Sequence, residues 1–388
     1  MKKTILFVIP TLRFGGAEKS LINLLKSLDP EKLDITLLLF EAGGPLQKEV
    51  PDYVHIIEAD VLTRAMTLEL RYYLKDVLKK GHVFAALSRL FITVRSRFGK
   101  RSYFSWKTIS KHIPHLPGHY DVAIGYLEGF TDFYVIDQVK ADKKIGWIHS
   151  DLSKRTILKE DSAYYSQFDY LVTISDICKK PLIEYFPRMT HRIFVLENVV
   201  VKDDIISQSL KNVDWDNDKL HIITVGRIEW VKGIDLALEA AVKLKEHGVR
   251  FQWHVFGNGS VESKISKLIV EKQMSDSFLL EGQSNNPYPY MRRADILVQP
   301  SRLEGKSLVL DEAKILGKAI VVTNYPSVTD QIIDGITGLI ADINPESIAE
   351  KILELVDNTN LKHKLEINAT KENNRSIKTI DKLYYLIE

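Results

Sequence analysis

The sequence predicts an α/β protein of two domains, each a parallel sheet wrapped in helices, and three observations carry that expectation. The chain has 388 residues, more than a single hydrophobic core usually serves, so two folding units are expected. Short β-rich apolar runs alternate with helix-period segments along most of its length, the pattern of strands covered on both faces. That alternation stops once, in a polar, acidic stretch near the middle, and then begins again.

Taken in order, TILFVIP, the helical pattern Ala17 to Leu28, DITLLLF, DVAIGY, KIGWIH, DYLVTIS and RIFVLEN build the first Rossmann-like domain, residues 1–202. Residues 203–218 contain DWDND, show no clear period and read as a linker. KLHIITVG, RFQWHVFG, DSFLLEG, ADILVQPS and KAIVVTN then build a second domain of the same kind, residues 219–370. The end of the chain reads as consecutive helices, the last of which, 371–388, could cross back to the first domain.

Composition narrows the class. With 45% hydrophobic and 27% charged residues the chain is an ordinary folded protein. Its one cysteine, Cys178, excludes an internal disulfide, and no paired His/Cys spacing suggests a metal cage, so a reducing cytoplasm is expected. At the amino end, the apolar run of MKKTILFVIP is followed at once by Arg13, which reads as a buried strand rather than a signal peptide or a membrane span.

Three turns concentrate chemistry. In SRLEGKSLVLDEAKILGKAIV, Glu304 and Glu312 stand seven residues apart after a strand. If Gly305, Lys306 and Ser307 open a helix, their N–H groups form an anion site for a diphosphate, with Leu308 beside them a further candidate substrate contact. Glu304 could then accept hydrogen bonds from sugar hydroxyls and Glu312 from a ribose diol, since a carboxylate suits vicinal hydroxyls; a surface acid on an amphipathic helix is the plainer reading. In HIITVGRIEWVKGID, Gly226, Arg227, Lys232 and Gly233 lie at a strand-to-helix turn, where a cation opposed by the helix dipole calls for an anion. Arg227 as a fork and Lys232 as a point charge could stabilise a leaving diphosphate, the alternative being two solvated cations. Gly15 and Gly16 follow the first strand and would let a ligand approach the backbone closely. His149 ends the strand GWIH, where ligands gather in open α/β sheets, although a lone histidine is often structural.

Two lookalikes weigh less. VFGNGSVE begins like a dinucleotide fingerprint, but Glu262 stands where its third glycine belongs, leaving Gly257 and Asn258 as candidate substrate contacts. DWDND has the spacing of a metal-binding acidic pair without a preceding apolar strand.

Together, GGAE, G-R-x4-K-G and E-x7-E, in that order along nearly the whole chain, resemble the family 4 retaining glycosyltransferases of GT-B fold. The resemblance implies two Rossmann-like domains facing across a cleft, with a nucleotide-diphosphate sugar held by the second domain and a saccharide acceptor by the first. It also implies a hexosyltransferase, retaining and metal-independent, with no cofactor. By similarity Arg227 and Lys232 would hold the diphosphate, Glu304 the donor sugar and Glu312 the ribose, while Gly16 would approach the phosphate and His149 the anomeric centre. Family members are commonly described as using a donor phosphate oxygen to take the acceptor's proton. Lys306 departs from the family, which often has an aromatic residue there. Uridine donors, of a hexose or an N-acetylhexosamine, are common in the family. A nucleotide-sugar epimerase of the same fold and a non-catalytic sugar-nucleotide-binding subunit are the rival functions.

The net charge of +2 hides an asymmetry: from Arg64 to His115 twelve Lys/Arg stand against two acids, a local +10. Within 84–101, Phe84, Leu87, Phe91, Val94 and Phe98 recur at helical spacing, with Arg89, Arg97 and Lys100 on the opposite face. A basic, aromatic helix of this kind suits an anionic membrane surface, and hence a lipid-linked saccharide acceptor in bacterial surface polysaccharide synthesis, at the inner face of the membrane. A core-facing helix with a solvated basic back is the competing reading. No nucleic-acid module is present, and no nucleic-acid partner is expected.

Overall fold

The computed structural model describes residues 2–13, 15–68, 75, 77–96, 103–150, 162, 164–371 and 375–388. It divides into two compact units, Met1–Val199 with Ile377–Glu388, and Val200–Ser376. Each is a parallel sheet with helical connections, the Rossmann-like architecture expected.

The first sheet runs in the order β3-β2-β1-β4-β5-β6-β7. Its central strands, β1 (Lys3–Ile9), β4 (Tyr120–Gly125) and β5 (Ala141–Ile148), end in unbroken buried runs such as Ile5 to Ile9, because both faces are covered and neither needs a polar side. The flanking strands are β2 (Leu33–Leu39), β3 (Val54–Glu58), β6 (Tyr170–Thr173) and β7 (Ile193–Val195). Helix Gly16–Lys26 follows β1, burying Leu21, Ile22, Leu24 and Leu25, with Glu18 in its first turn and Lys26 in its last to suit the helix dipole. Helix Arg375–Ile387 completes this unit. Leu383, Leu386 and Ile387 enter its core, while the ammonium groups of Lys3 and Lys143 donate to the carbonyls of Ile387 and Leu386 at 2.7 and 2.8 Å, satisfying acceptors the helix end leaves open.

The second sheet runs β10-β9-β8-β11-β12-β13, all parallel. Its strands are β8 (Leu220–Val225), β9 (Phe251–Phe256), β10 (Phe278–Gly282), β11 (Ile296–Gln299), β12 (Ala319–Thr323) and β13 (Leu339–Ala341).

The linker expected over 203–218 is corrected by the structure. Lys202–Gln208 is a helix of the second unit, its Ile205 buried in that unit's core. Trp215, inside the acidic DWDND, stacks on His254 with ring centroids 3.9 Å apart and on His221 at 4.8 Å. A few apolar anchors, too sparse to make a period, tie a polar segment down. The second unit therefore starts at Val200 rather than at 219.

Candidate active site

Open α/β sheets take ligands beyond the carboxyl ends of their strands, in the crevice left where the strand order reverses. In the second unit that reversal falls between β8 and β11, so loops 226–233 and 300–307 flank it. Gly233 lets them meet. It adopts φ 66°, and a Cβ there would lie 1.9 Å from the Pro300 carbonyl oxygen, which a larger residue cannot accommodate. Arg302 fastens the same junction: its backbone N–H donates to the Val231 carbonyl at 2.8 Å, and its guanidinium grips Asp235 through bonds of 2.8 and 2.6 Å while lying 4.4 Å from the Trp230 ring centre.

This junction brings Lys232 and Glu304 together across the reversal. The Lys232 ammonium donates to both carboxylate oxygens of Glu304, 2.6 Å to Oε1 and 2.8 Å to Oε2. Ser301 Oγ and Gln299 Nε2 also donate to Oε1, at 2.7 and 3.0 Å. Gln299, which ends β11, accepts from Ser307 Oγ at 2.7 Å through the other end of its amide. Arg227 is exposed, and its charge helps hold the Glu229 carboxyl below the usual range after two hydrogen bonds from Ser260. The turn after β9 packs against it: the Gly226 N–H donates to the Phe256 carbonyl and the Ile228 N–H to that of Asn258, while Asn258 Nδ2 donates to Gln283. A Cβ on Gly257 would strike the Gly226 carbonyl oxygen at 1.9 Å.

The helix start expected at Gly305, Lys306 and Ser307 is corrected. These three residues do not open the helix; it begins at Leu308, and the Ser307 N–H is taken by Gln331 Oε1 at 2.7 Å. Lys306 and Leu308 are buried. Glu312 is buried on that helix, its Oε1 accepting from the Tyr288 hydroxyl at 3.2 Å.

His149, Gly15 and Gly16 lie in the first unit, whose own reversal falls between β1 and β4. Gly15 caps helix Gly16–Lys26, and Gly16 has open space where a side chain would stand. His149 follows β5. Its ring stacks on Trp147 at 6.1 Å and packs on Tyr126 at 4.9 Å. Burial pushes its pKa down to about 4 against the opposing pull of Glu128 and the Tyr126 carbonyl, so the imidazole is neutral at physiological pH. Glu128, in the loop after β4, accepts from the His149 N–H at 3.0 Å and from the Ser150 hydroxyl. Behind it Asp132 is fully buried, its carboxyl raised well above the usual range by burial and then by the charge of Glu128.

Sequence reasoning missed Gln299, Ser301, Arg302 and Glu128. The polar residues immediately around Glu304 in QPSRLEG were the available signal.

The helix Val83–Ser96 corrects a further expectation. Phe84, Leu87 and Phe91 do share a face, but it is exposed, Phe84 by 80%. Arg89 is buried with Ala85, Ala86 and Ile92, its guanidinium donating to the Leu68 carbonyl at 2.8 Å. The solvated basic back is thus not found at Arg89; Arg97, Phe98 and Lys100 lie outside the described residues. Among the described residues no helix is long and apolar enough to cross a membrane.

The segment that carries this turn has known relatives. Residues 206–372 match the family of glycosyl transferases group 1. An uncharacterized glycosyltransferase of Methanocaldococcus jannaschii is 29% identical over 202 residues, covering 52% of this chain and 53% of that protein. An N-acetylgalactosamine-N,N'-diacetylbacillosaminyl-diphospho-undecaprenol 4-alpha-N-acetylgalactosaminyltransferase of Campylobacter jejuni is 27% identical over 48% of this chain and 50% of its own length. The chain thus spans about half the length of these curated relatives. The Anabaena protein HepE, solved with UDP and glucose, shares the fold with a TM-score of 0.69 and 14% identity over 99% of this chain and 98% of its own.

Proposed function

We propose that the chain is a retaining glycosyltransferase that moves a sugar from a nucleotide diphosphate, uridine diphosphate first among the candidates, to a saccharide acceptor. The observation that carries this reading is the Lys232–Glu304 pair at the strand reversal of the second sheet, inside the segment matching the glycosyl transferases group 1 family. Arg227 and Lys232 meet the charge that grows on the diphosphate as the glycosidic bond breaks, and Glu304 accepts from a sugar hydroxyl. Glu312 holds the ribose, with Gly226, Gly257 and Asn258 lining the donor site. A donor phosphate oxygen takes the acceptor's proton, so no protein base and no metal are required.

The acceptor is lipid-linked on this reading. Support comes from the Campylobacter relative, whose name states a diphospho-undecaprenol substrate, and from the exposed Phe84, Leu87 and Phe91 beside the exposed Lys79 and Lys80. An apolar face next to cations suits the interface of an anionic bilayer.

The test is to incubate the purified chain with a panel of nucleotide sugars and lipid-linked acceptors, with and without a chelator, and to determine the product's anomeric configuration. Transfer with retention in both conditions is the expected result. Conversion of the donor alone would make the chain an epimerase, and binding without turnover an accessory subunit.

A further inference from the structure

We propose that Glu304 sorts the intact nucleotide sugar from the spent nucleoside diphosphate by charge, acting as a fixed negative post against which Lys232 is held. The inference rests on the donor site proposed above and assigns that site a specificity it did not have.

Glu304 Oε1 accepts from three donors, the Lys232 ammonium, Ser301 Oγ and Gln299 Nε2, whereas among the described residues Oε2 accepts from Lys232 alone. Each carboxylate oxygen has about two lone-pair directions, so Oε1 is full and Oε2 keeps room for one further donor. Nor can the carboxylate swing away to make more room. Gln299 is only 5% exposed and is held at its other end by Ser307, and Ser327 Oγ donates to the Glu304 carbonyl at 2.8 Å. Moving the side chain would take this acceptor away from the buried Gln299 amide and Ser301 hydroxyl.

The charge is also poorly screened, since the Glu304 side chain is 11% exposed and that of Lys232 24%. It reaches the buried Tyr325 hydroxyl, which burial first, and then Glu304 and Asp311, push well above its usual range. A ligand phosphate drawn to Lys232 therefore meets the carboxylate as well.

Donor and product differ in the two properties this post senses. A nucleotide sugar brings hydroxyl donors, one of which can fill the open position on Oε2. Release of the sugar removes those donors and frees a terminal phosphate oxygen whose second ionisation, at a pKa of about 6, adds nearly one negative charge at neutral pH. The product thus offers Oε2 nothing and repels it. Glu304 keeps donor affinity and lowers product affinity, which favours product release after transfer.

The experiment is calorimetric titration of the full chain with UDP and with UDP-glucose, for the wild type, Glu304→Gln and Glu304→Ala, with thermal unfolding as a check on folding. Both variants remove the charge; the first retains the shape and the second dispenses with the amide, so that one serves if the other does not fold. UDP is expected to bind about tenfold more tightly to each variant, a shift of about 1.4 kcal/mol. UDP-glucose should bind no more tightly than to the wild type. Unchanged or weaker UDP binding by the folded variants would overturn the proposal, as would an equal gain for both ligands. Failure of the donor-site reading looks different: the wild type would then bind neither UDP nor the diphosphates of the other common bases. If another base binds, its diphosphate and glucose conjugate replace the uridine pair.

Discussion

The two sheets have the same kind of strand reversal and fill it with opposite chemistry. Beyond β8 and β11 lie cations and a carboxylate, with Lys232 on Glu304 and Arg227 open to solvent. Around the ends of β4 and β5 lie a neutral imidazole, a carboxyl driven toward its protonated form by burial, and Glu128 pinning the loop to β5. Topology places the crevice, and the side chains decide what it accepts. In the function proposed above the second meets the donor's diphosphate, while the first sets a neutral imidazole beside Glu128.

Turnover tests this contrast with the largest expected effect. Lys232→Met should slow transfer by on the order of 10²–10³-fold, the scale of one charge-stabilising contact in a low-dielectric site. Its melting temperature should also fall, since Met leaves the largely buried Glu304 carboxylate with the Ser301 and Gln299 donors but without its counter-charge. Glu128→Gln, which weakens acceptors for the His149 N–H and Ser150 hydroxyl, should cost far less. Equal losses in initial-rate assays would break the comparison and place the critical charge in both units.

Backbone comes next. Gly233→Ala must carry a left-handed φ and drive a Cβ into the Pro300 carbonyl, so the second unit should lose about 3 kcal/mol or more. Chemical denaturation should show this loss in the transition of the second unit, with the corresponding change at Gly16, which has open space around it, leaving the first nearly unaffected.

Acidification should reverse the order of vulnerability. His149 has a folded pKa of about 4, below the ~6.5 of an unfolded chain. A base with a depressed folded pKa contributes no difference above the unfolded value. Between about pH 6.5 and 4 the unfolded state binds the proton and the folded state does not, so stability falls as pH falls, by up to about 3 kcal/mol once both pKa values are passed. His149→Phe should flatten this window in denaturation curves measured across it; an unchanged slope would show that the imidazole is not the group responsible.

The parts that sequence made legible were local ones. G-R-x4-K-G and the first Glu of E-x7-E sit on turns directly after strands, so composition and spacing were enough to single out Arg227, Lys232 and Glu304 as candidates, of which the structure brings Lys232 and Glu304 together. What escaped was information carried by pairing. Gln299 and Ser301 matter because they point at Glu304 across a tight loop, which no period expresses. Trp215 anchors an acidic segment through a stacking partner near forty residues away in His254. Helical spacing likewise separated two faces in Val83–Ser96 but could not say which one turned inward. Small residues settled that: Ala85 and Ala86 let the helix pack closely while Arg89 reaches the Leu68 carbonyl.

That inverted helix yields the smallest effect on folding and a sharp one on location. Phe84 and Phe91 are exposed, so replacing both with Ser removes little buried area, and the melting midpoint should move by less than the equivalent of about 0.5 kcal/mol per site. A face this exposed has no such tolerance when it meets a bilayer, where each aromatic ring withdrawn from water contributes on the order of 1–3 kcal/mol. Sedimentation with vesicles containing anionic lipid should therefore lose most of its bound fraction in the double variant, whereas added salt should weaken binding of the wild type only through its cations. Wild-type protein that stays in the supernatant even at low salt would remove the membrane from the proposal and leave the sugar-transfer site untouched, because the two lie in different units and rest on different residues.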